Sequence, residues 1–224
     1  MRVKARPVLA RIDGPEAFSA AFGVSRETAF RLATYEALLR RWQRAVNLVA
    51  PSTVAEAWHR HFADSAQLAF LVPVWVKSLV DLGSGAGFPG LVLAIMLADR
   101  PNFRVRLIES DQRKAAFLRE VSRQTGVPVD ILPSRIECEE TQASVGQAEA
   151  VTARALAPLD RLLELAVPLF GSETVGLFLK GREAAREIRE ARVRWRFDAE
   201  LVGSVTEASG SVVVIRHLRR KRGK

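Results

Sequence analysis

Residues Asp81–Gly90 read Asp-Leu-Gly-Ser-Gly-Ala-Gly-Phe-Pro-Gly. They follow the apolar pair Leu79-Val80 and precede an apolar stretch from Leu91 to Ala98. No other segment narrows the fold so far. A buried strand that runs through alternating glycines into a helix is the first crossover of a doubly wound α/β sheet, where ligands sit beyond the carboxyl ends of the strands. Glycines lack Cβ, so the chain turns tightly and a ligand can lie on bare backbone. The amides that open the following helix point toward such a ligand.

Two cofactor classes compete for this loop. Gly85–Gly90 satisfies Gly-x-Gly-x-x-Gly, the dinucleotide fingerprint. The register Asp81-x-Gly83-Ser84-Gly85-x-Gly87 reads differently, because it sets a carboxylate two residues before the first glycine. That acid repels a pyrophosphate and suits a cationic amino-acid headgroup, as in S-adenosylmethionine (SAM). Glu109 ends the next apolar run, Val105–Ile108, where a carboxylate can accept both hydroxyls of an adenosine ribose. An NAD enzyme uses such an acid equally well. Asp81 tips the reading toward SAM; an NAD-dependent oxidoreductase and a purely structural glycine turn stay open.

A chain of 224 residues is long enough for one α/β domain with an extension. The boundary is expected near residue 75, with a helical extension over 1–75 and the binding domain over 76–224. Residues 1–22 read as a loose lead-in. A helix is predicted from Ser25 to about Val46, with Phe30, Ala33, Ala37, Leu38 and Trp42 on one face, and a second from Thr53 to Leu71. Strands are predicted near 78–82, 104–109, 128–132, 149–153 and 175–180, and helices near 89–98, 112–125, 158–168 and 182–193. The runs Trp195–Thr206 and Ser211–Leu218 leave no room for a crossover helix, so they should pair antiparallel. The expected architecture is Rossmann-like, a mostly parallel seven-stranded sheet closed by a C-terminal antiparallel hairpin. That is the arrangement of SAM-dependent methyltransferases more than of dehydrogenases.

Charge bears on partners. Lys and Arg number 34 against 25 acids, a net charge of +9, which favours a phosphate-rich partner such as nucleic acid. The tail Arg216–Lys224, with six basic residues in nine, is the best candidate for phosphate contact. A single cysteine, Cys138, excludes a disulfide framework and fits a reducing cytoplasm; it reads as an inert thiol near a helix start. The three histidines have no cysteine pair beside them, so no metal site is expected. No run approaches the ~18 apolar residues of a membrane span, and a cytoplasmic monomer is the expectation.

In such a sheet the functional residues gather past the strand ends. After the third strand, Ser134-Arg135-Ile136-Glu137 offers amides and an apolar side chain to an adenine edge. After the fourth, Arg154 is the one charge between Ala150 and Pro158, facing the cleft. The fifth ends in Lys180-Gly181-Arg182 at the cleft mouth. Arg60 and Asp64 sit at i, i+4 on the second helix, with His61 and Ser65 beside them. The pattern alone favours an ordinary helix ion pair of about 0.3–0.5 kcal/mol over a polar face turned to the cleft.

Taken in order, Asn47-Leu48, Arg60-His61 with Asp64-Ser65, Gly83–Gly90, Ser134–Glu137, Thr152–Ala155 and Leu179–Gly181 resemble the glucose-inhibited division protein B family. Those proteins are bacterial 16S ribosomal RNA (guanine-N7) methyltransferases. The Phe88-Pro89-Gly90 ending is more specific than the glycines before it. The resemblance spans Asn47 to Gly181 and implies SAM contacts from Gly83, Phe88, Ile136, Glu137 and Arg154. It also moves Arg60, His61 and Asp64 toward a role on the substrate side. Guanine N7 carries an in-plane lone pair and no proton, so methyl transfer there needs no general base, and Arg154 and Lys180 are the expected neighbours of the reacting groups. The substrate is expected to be 16S ribosomal RNA within the 30S subunit. A SAM methyltransferase with another acceptor and a non-catalytic RNA-binding module are the alternatives.

Overall fold

The computed structural model describes residues 3–221. The strands are β1 (Val3–Lys4), β2 (Ser78–Leu82), β3 (Arg104–Ile108), β4 (Asp130–Leu132), β5 (Ala148–Arg154), β6 (Phe170–Lys180), β7 (Trp195–Gly203) and β8 (Ser211–Arg220). They form one sheet in the order β1-β7-β8-β6-β5-β2-β3-β4. All pairings are parallel except those of β8, which lies antiparallel between β6 and β7. Seven strands match the expected sheet, and the two-residue β1 adds an eighth at the edge against Leu201 and Val202.

Side chains alternate along each strand, so the sheet has two apolar faces. In β2, Leu79 joins one core while Val80 and Leu82 join the other. The first core gathers the N-terminal helices α1 (Pro15–Phe22) and α2 (Arg26–Gln43), the segment from 51 to 70, α4 (Gly90–Met96) and α5 (Gln112–Thr125). The second is covered by α7 (Leu159–Ala166) and α8 (Ala184–Ala191). The N-terminal helices therefore share a core with the sheet.

Local chemistry sets the helix ends. Ser25 caps α2 by accepting the Thr28 amide at 3.1 Å. Asp111 caps α5 through the amides of Arg113 and Lys114, and Gly126 ends it at φ +67°. Cys138, exposed, stands at the N-cap of α6 (Glu139–Val145), a short helix that periodicity did not reveal.

Four expectations are corrected. The buried stripe of α2 is Thr28, Leu32, Tyr35, Leu38 and Leu39; Phe30 is 72% exposed and Ala37 lies on the solvent side. The aromatic at 30 drew the stripe onto the wrong face. The lead-in is ordered: α1 follows Gly14, and Phe18 and Phe22 are buried. The second helix is continuous from 51 to 70 but irregular, with 3₁₀ turns at Pro51–Glu56 and Gln67–Phe70 around a π-helical stretch Trp58–Ala63 and a three-residue α3 (Asp64–Ala66). The basic tail is largely strand, since Arg216–Arg220 belong to β8; residues 222–224 lie outside the described region.

Candidate active site

The glycine loop forms as its sequence requires. Gly83, Gly85 and Gly87 all take positive φ, at +62°, +56° and +95°. A Cβ on Gly87 would stand 2.5 Å from the Tyr35 hydroxyl, and one on Gly83 2.6 Å from Leu156 Cδ1. Tyr35, wholly buried on α2, donates its hydroxyl to the Ala86 carbonyl and stacks on Phe88 at 5.4 Å. Burial pushes that phenol well above its ordinary pKa. Glu109, at the end of β3, accepts the Gly85 amide at 2.7 Å through Oε2 and the Asp111 amide at 2.8 Å through Oε1.

Above the loop lies a cavity of about 430 Å³, walled by Gly83, Ser84, Gly85, Phe88, Glu109, Arg135, Ile136, Glu137 and Arg154 among others. This size suits a small-molecule cofactor. Its wall combines bare glycine backbone, the carboxylates of Glu109 and Glu137 and the buried apolar side chain of Ile136, a set that fits an adenosyl group. Asp81, expected to face a cationic headgroup, is instead wholly buried behind the loop. Register places it beside Thr152, whose hydroxyl donates to Oδ1 at 2.7 Å. Gly90 leaves room for it, since a Cβ there would meet Asp81 Cβ at 2.5 Å. Oδ2 has no partner, and burial raises the carboxyl pKa to about 6 against the Thr152 hydrogen bond.

A second cavity, about 770 Å³, opens on the other side of Arg154-Ala155-Leu156, which line both. Ala155 holds φ +50° there, a conformation uncommon for a residue with a side chain. Thr53, Arg60, His61, Asp64, Lys180 and Thr206 line this second space. Arg154 and the 51–70 segment thus meet although 93 residues separate Arg154 from His61.

Proton positions follow from donor chemistry. A guanidinium only donates, so His61 Nδ1, 2.9 Å from Arg154 Nη1, must accept. The imidazole proton therefore sits on Nε2 and is donated to Thr53 Oγ1 at 2.8 Å, and Thr53 passes its own proton to the Ala50 carbonyl at 2.7 Å. Burial, then the charges of Arg154 and Arg60, lower the His61 pKa to about 3. Arg154 also donates to the Arg60 carbonyl at 3.1 Å and lies 5.0 Å from the centre of the Phe88 ring. Asp64 turns to Arg154 at 3.8 Å rather than to Arg60, because the π-helical winding before it displaces the i, i+4 geometry. Its Oδ1 accepts Thr206 Oγ1 and Gln67 Nε2, both at 2.9 Å. Burial still raises its pKa above the usual carboxylate value.

Lys180 reaches the second cavity but is tied down, donating to Glu187 at 2.7 Å and to the Ala157 carbonyl at 2.6 Å. Arg182 is exposed and lies outside the walls of both cavities, because the chain turns away after Gly181 into α8. Glu137 lines the first cavity with its carboxylate 3.1 Å from Arg161. Sequence reasoning missed Tyr35, Thr53, Gln67, Leu156, Glu187 and Thr206. Only long-range packing reveals them, whereas Leu48, on the first cavity's wall, stood within the quoted Asn47-Leu48. Among the described residues no group of three or more His, Cys, Asp or Glu is placed to hold a metal ion, and no helix is long and apolar enough to cross a membrane.

The fold is that of known methyltransferases. A methyltransferase from Geobacter sulfurreducens superposes with TM-score 0.58 at 17% identity, over 93% of this chain and 98% of that one. An O-methyltransferase from Bacillus cereus, solved in complex with SAH, gives 0.55 at 14% identity over 82% and 90%. In sequence, ribosomal RNA small subunit methyltransferase G of Parvibaculum lavamentivorans is 54% identical over 203 residues, covering 91% of this chain and 89% of that protein. The protein of that name from Rhodospirillum centenum is 55% identical over 196 residues, covering 88% and 87%. The GidB family model, rRNA small subunit methyltransferase G, matches residues 29–218. The chain therefore belongs to the rRNA small subunit methyltransferase G family.

Proposed function

We propose that this protein transfers a methyl group from SAM to N7 of a guanine in 16S ribosomal RNA, acting as a cytoplasmic monomer on the assembled 30S subunit. When bound, SAM supplies an already activated methyl group. The observation that carries the reading is the pair of cavities divided by Arg154–Leu156.

The first cavity is the proposed cofactor site. Glu109 would take the ribose hydroxyls, Ile136 and the Ser134–Glu137 backbone the adenine, and Gly83–Gly87 with Phe88 the amino-acid end. Asp81 shapes the loop from behind. The helices of the N-terminal extension close over the binding domain through Tyr35 and the Arg154-bonded His61.

The second cavity is the proposed place of the guanine. The possible bases on its wall already hold partners: His61 Nδ1 has Arg154, His59 Nδ1 the Ile12 amide, Glu187 Lys180, Asp64 Oδ1 Thr206 and Gln67, Glu56 Arg11, and Glu207 the Ser209 amide and hydroxyl. Such a site suits an acceptor with a free lone pair and no proton to remove. Catalysis then rests on alignment, an effect reaching about 7–11 kcal/mol in favourable cases. Arg154, held from four directions, and Lys180, held by Glu187, keep the mouth of the transfer path in fixed geometry. Guanine N7 lies in the deep major groove of A-form RNA, so the target base must be unpaired or splayed.

The test is incubation with labelled SAM and 30S subunits lacking the endogenous modification, beside protein-free ribosomal RNA and total tRNA. Label confined to small-subunit RNA is expected. Binding of NADH in place of SAM would reinstate the oxidoreductase reading.

A further inference from the structure

The arginines of this chain are not all alike. On the helices they are mostly paired with carboxylates: Arg31 with Glu27, Arg40 with Glu36, Arg123 with Glu120, Arg161 with Glu164 and Arg186 with Glu183. At the far end of the β7–β8 hairpin the pattern changes. Arg196 stands directly opposite Arg219, and Asp198 opposite Arg216. Residues 196 and 198 share a face of the strand, so Arg196, Arg216 and Arg219 project from one side, and all three are exposed. The one carboxylate among them, Asp198, already receives His217 at 2.7 Å. Like charges directly opposite each other destabilise a strand pair, and no ion pair within the described residues offsets Arg196 and Arg219. The other side of the same strands carries Trp195, Phe197 and Leu218 into the core, so the arginines cannot turn inward. Arg192 and Arg220 lie on that other side, over the rings of Phe197 and Trp195 at 5.7 and 5.9 Å, and are not part of the patch.

The patch is remote from the site. β7 runs parallel to β6, so Arg196 lies at the end of the sheet opposite the cavities. β8 begins at Ser211, which lines the second cavity, and reaches Arg219 eight residues later, about 26 Å away at roughly 3.3 Å per residue. One strand thus joins the acceptor cavity to the arginine cluster.

We propose that Arg196, Arg216 and Arg219 form a docking surface for the phosphodiester backbone of the substrate RNA, at a point about 26 Å from the base that is modified. This rests on the proposed reading of the acceptor as ribosomal RNA and adds to it a second, distant contact. Guanidinium groups that repel one another in the free protein find their counter-charge in phosphate, which arginine grips bidentately. A single nucleotide or short oligonucleotide fills the cavity without reaching the patch; a folded RNA engages both.

The test uses the full chain as the triple variant R196Q/R216Q/R219Q and, separately, Arg196→Glu. Direct binding to small-subunit RNA is measured over a range of salt, beside methyl transfer to that RNA and to a short oligonucleotide acceptor. Each lost phosphate contact removes about 0.7–0.9 from the slope of log affinity against log salt. The triple variant should therefore show a slope shallower by about two to three, with KM for the long RNA raised about tenfold. Its kcat, its SAM affinity and its turnover of the oligonucleotide should stay within twofold of the parent. Arg196→Glu should bind the RNA more weakly while melting no lower than the parent, because it pairs with Arg219; lowered binding with that melting behaviour excludes misfolding. An unchanged salt slope in the folded triple variant overturns the proposal. So does lost binding to phosphatidylserine vesicles with RNA affinity intact, which would assign the patch to a membrane surface. RNA binding is measured without turnover, so failure of the methyl-transfer reading leaves this test standing.

Discussion

Replacing Arg154 by Ala removes four contacts at once, and their sizes can be worked out. The guanidinium loses its place over Phe88, a contact of about 0.5–2 kcal/mol. It also loses charge-assisted hydrogen bonds to His61 Nδ1 and the Arg60 carbonyl, of which one is worth about 1.5–3 kcal/mol. Asp64 is left without its nearest cation. Water entering the cavity recovers part of this, so a net loss of about 3 kcal/mol is expected. That is within the 5–15 kcal/mol of a typical domain, and it lowers the melting temperature of a chain this size by about 6–12 °C. The variant folds. Its transfer rate should fall by more than about 100-fold, because the wall between the cavities loses its alignment. The His61 resonance provides an independent reading by NMR: with the neighbouring charge gone, its pKa must rise from about 3. The assays are calorimetry, single-turnover methyl transfer and a histidine titration. Near-normal turnover would remove Arg154 from the site. An unmoved His61 pKa would refute the electrostatic coupling between the two side chains.

Four further outcomes follow from the same geometry. His61, neutral in the fold with a pKa of about 3, contributes stability that is present above pH 6.5 and is lost as pH falls toward 3. Asp81, with its pKa raised to about 6, acts oppositely, because the fold gains a proton the unfolded chain lacks between pH 6 and about 3.8. Asp81→Asn removes that offset, so between pH 7.5 and 4.5 it should lose about 2 kcal/mol more stability than the parent in urea titrations; parallel pH curves would contradict this. Tyr35→Phe leaves the buried Ala86 carbonyl unpaired and should lower stability by about 1–3 kcal/mol and weaken SAM binding; calorimetry with no change in either would detach Tyr35 from the loop. Glu109→Gln presents an amide donor where two backbone amides need acceptors, so SAM affinity should drop at least about tenfold in a binding titration.

Much of this was written locally. Alternating glycines after a short apolar run fixed the loop, and the position of Arg154 at a strand end fixed its place on the cleft. Apolar runs of five or so residues between turn residues gave β2, β3 and β6. The remainder depends on contacts far apart in the chain. Tyr35 reaches Ala86 across 51 residues, and Asp64 reaches Thr206 across 142. The i, i+4 spacing of Arg60 and Asp64 promised an ion pair that a π-helical stretch dissolves. Asp81 illustrates a subtler failure: its position in the motif was right, but the pleat of β2 turns it toward Gly90 and Thr152, behind the loop.

The two cavities divided by Arg154 are proposed to bring a methyl donor to a guanine N7. The direct measurement is to label 30S subunits that lack the modification and map the methylated atom in the 16S RNA by cleavage at N7-methylguanosine. Label should appear at one guanine, at N7, and should form more than about 100-fold more slowly when Arg154 is Ala. Label on a ring carbon, an exocyclic amine or a ribose hydroxyl, each of which needs a proton removed, would contradict the proposal.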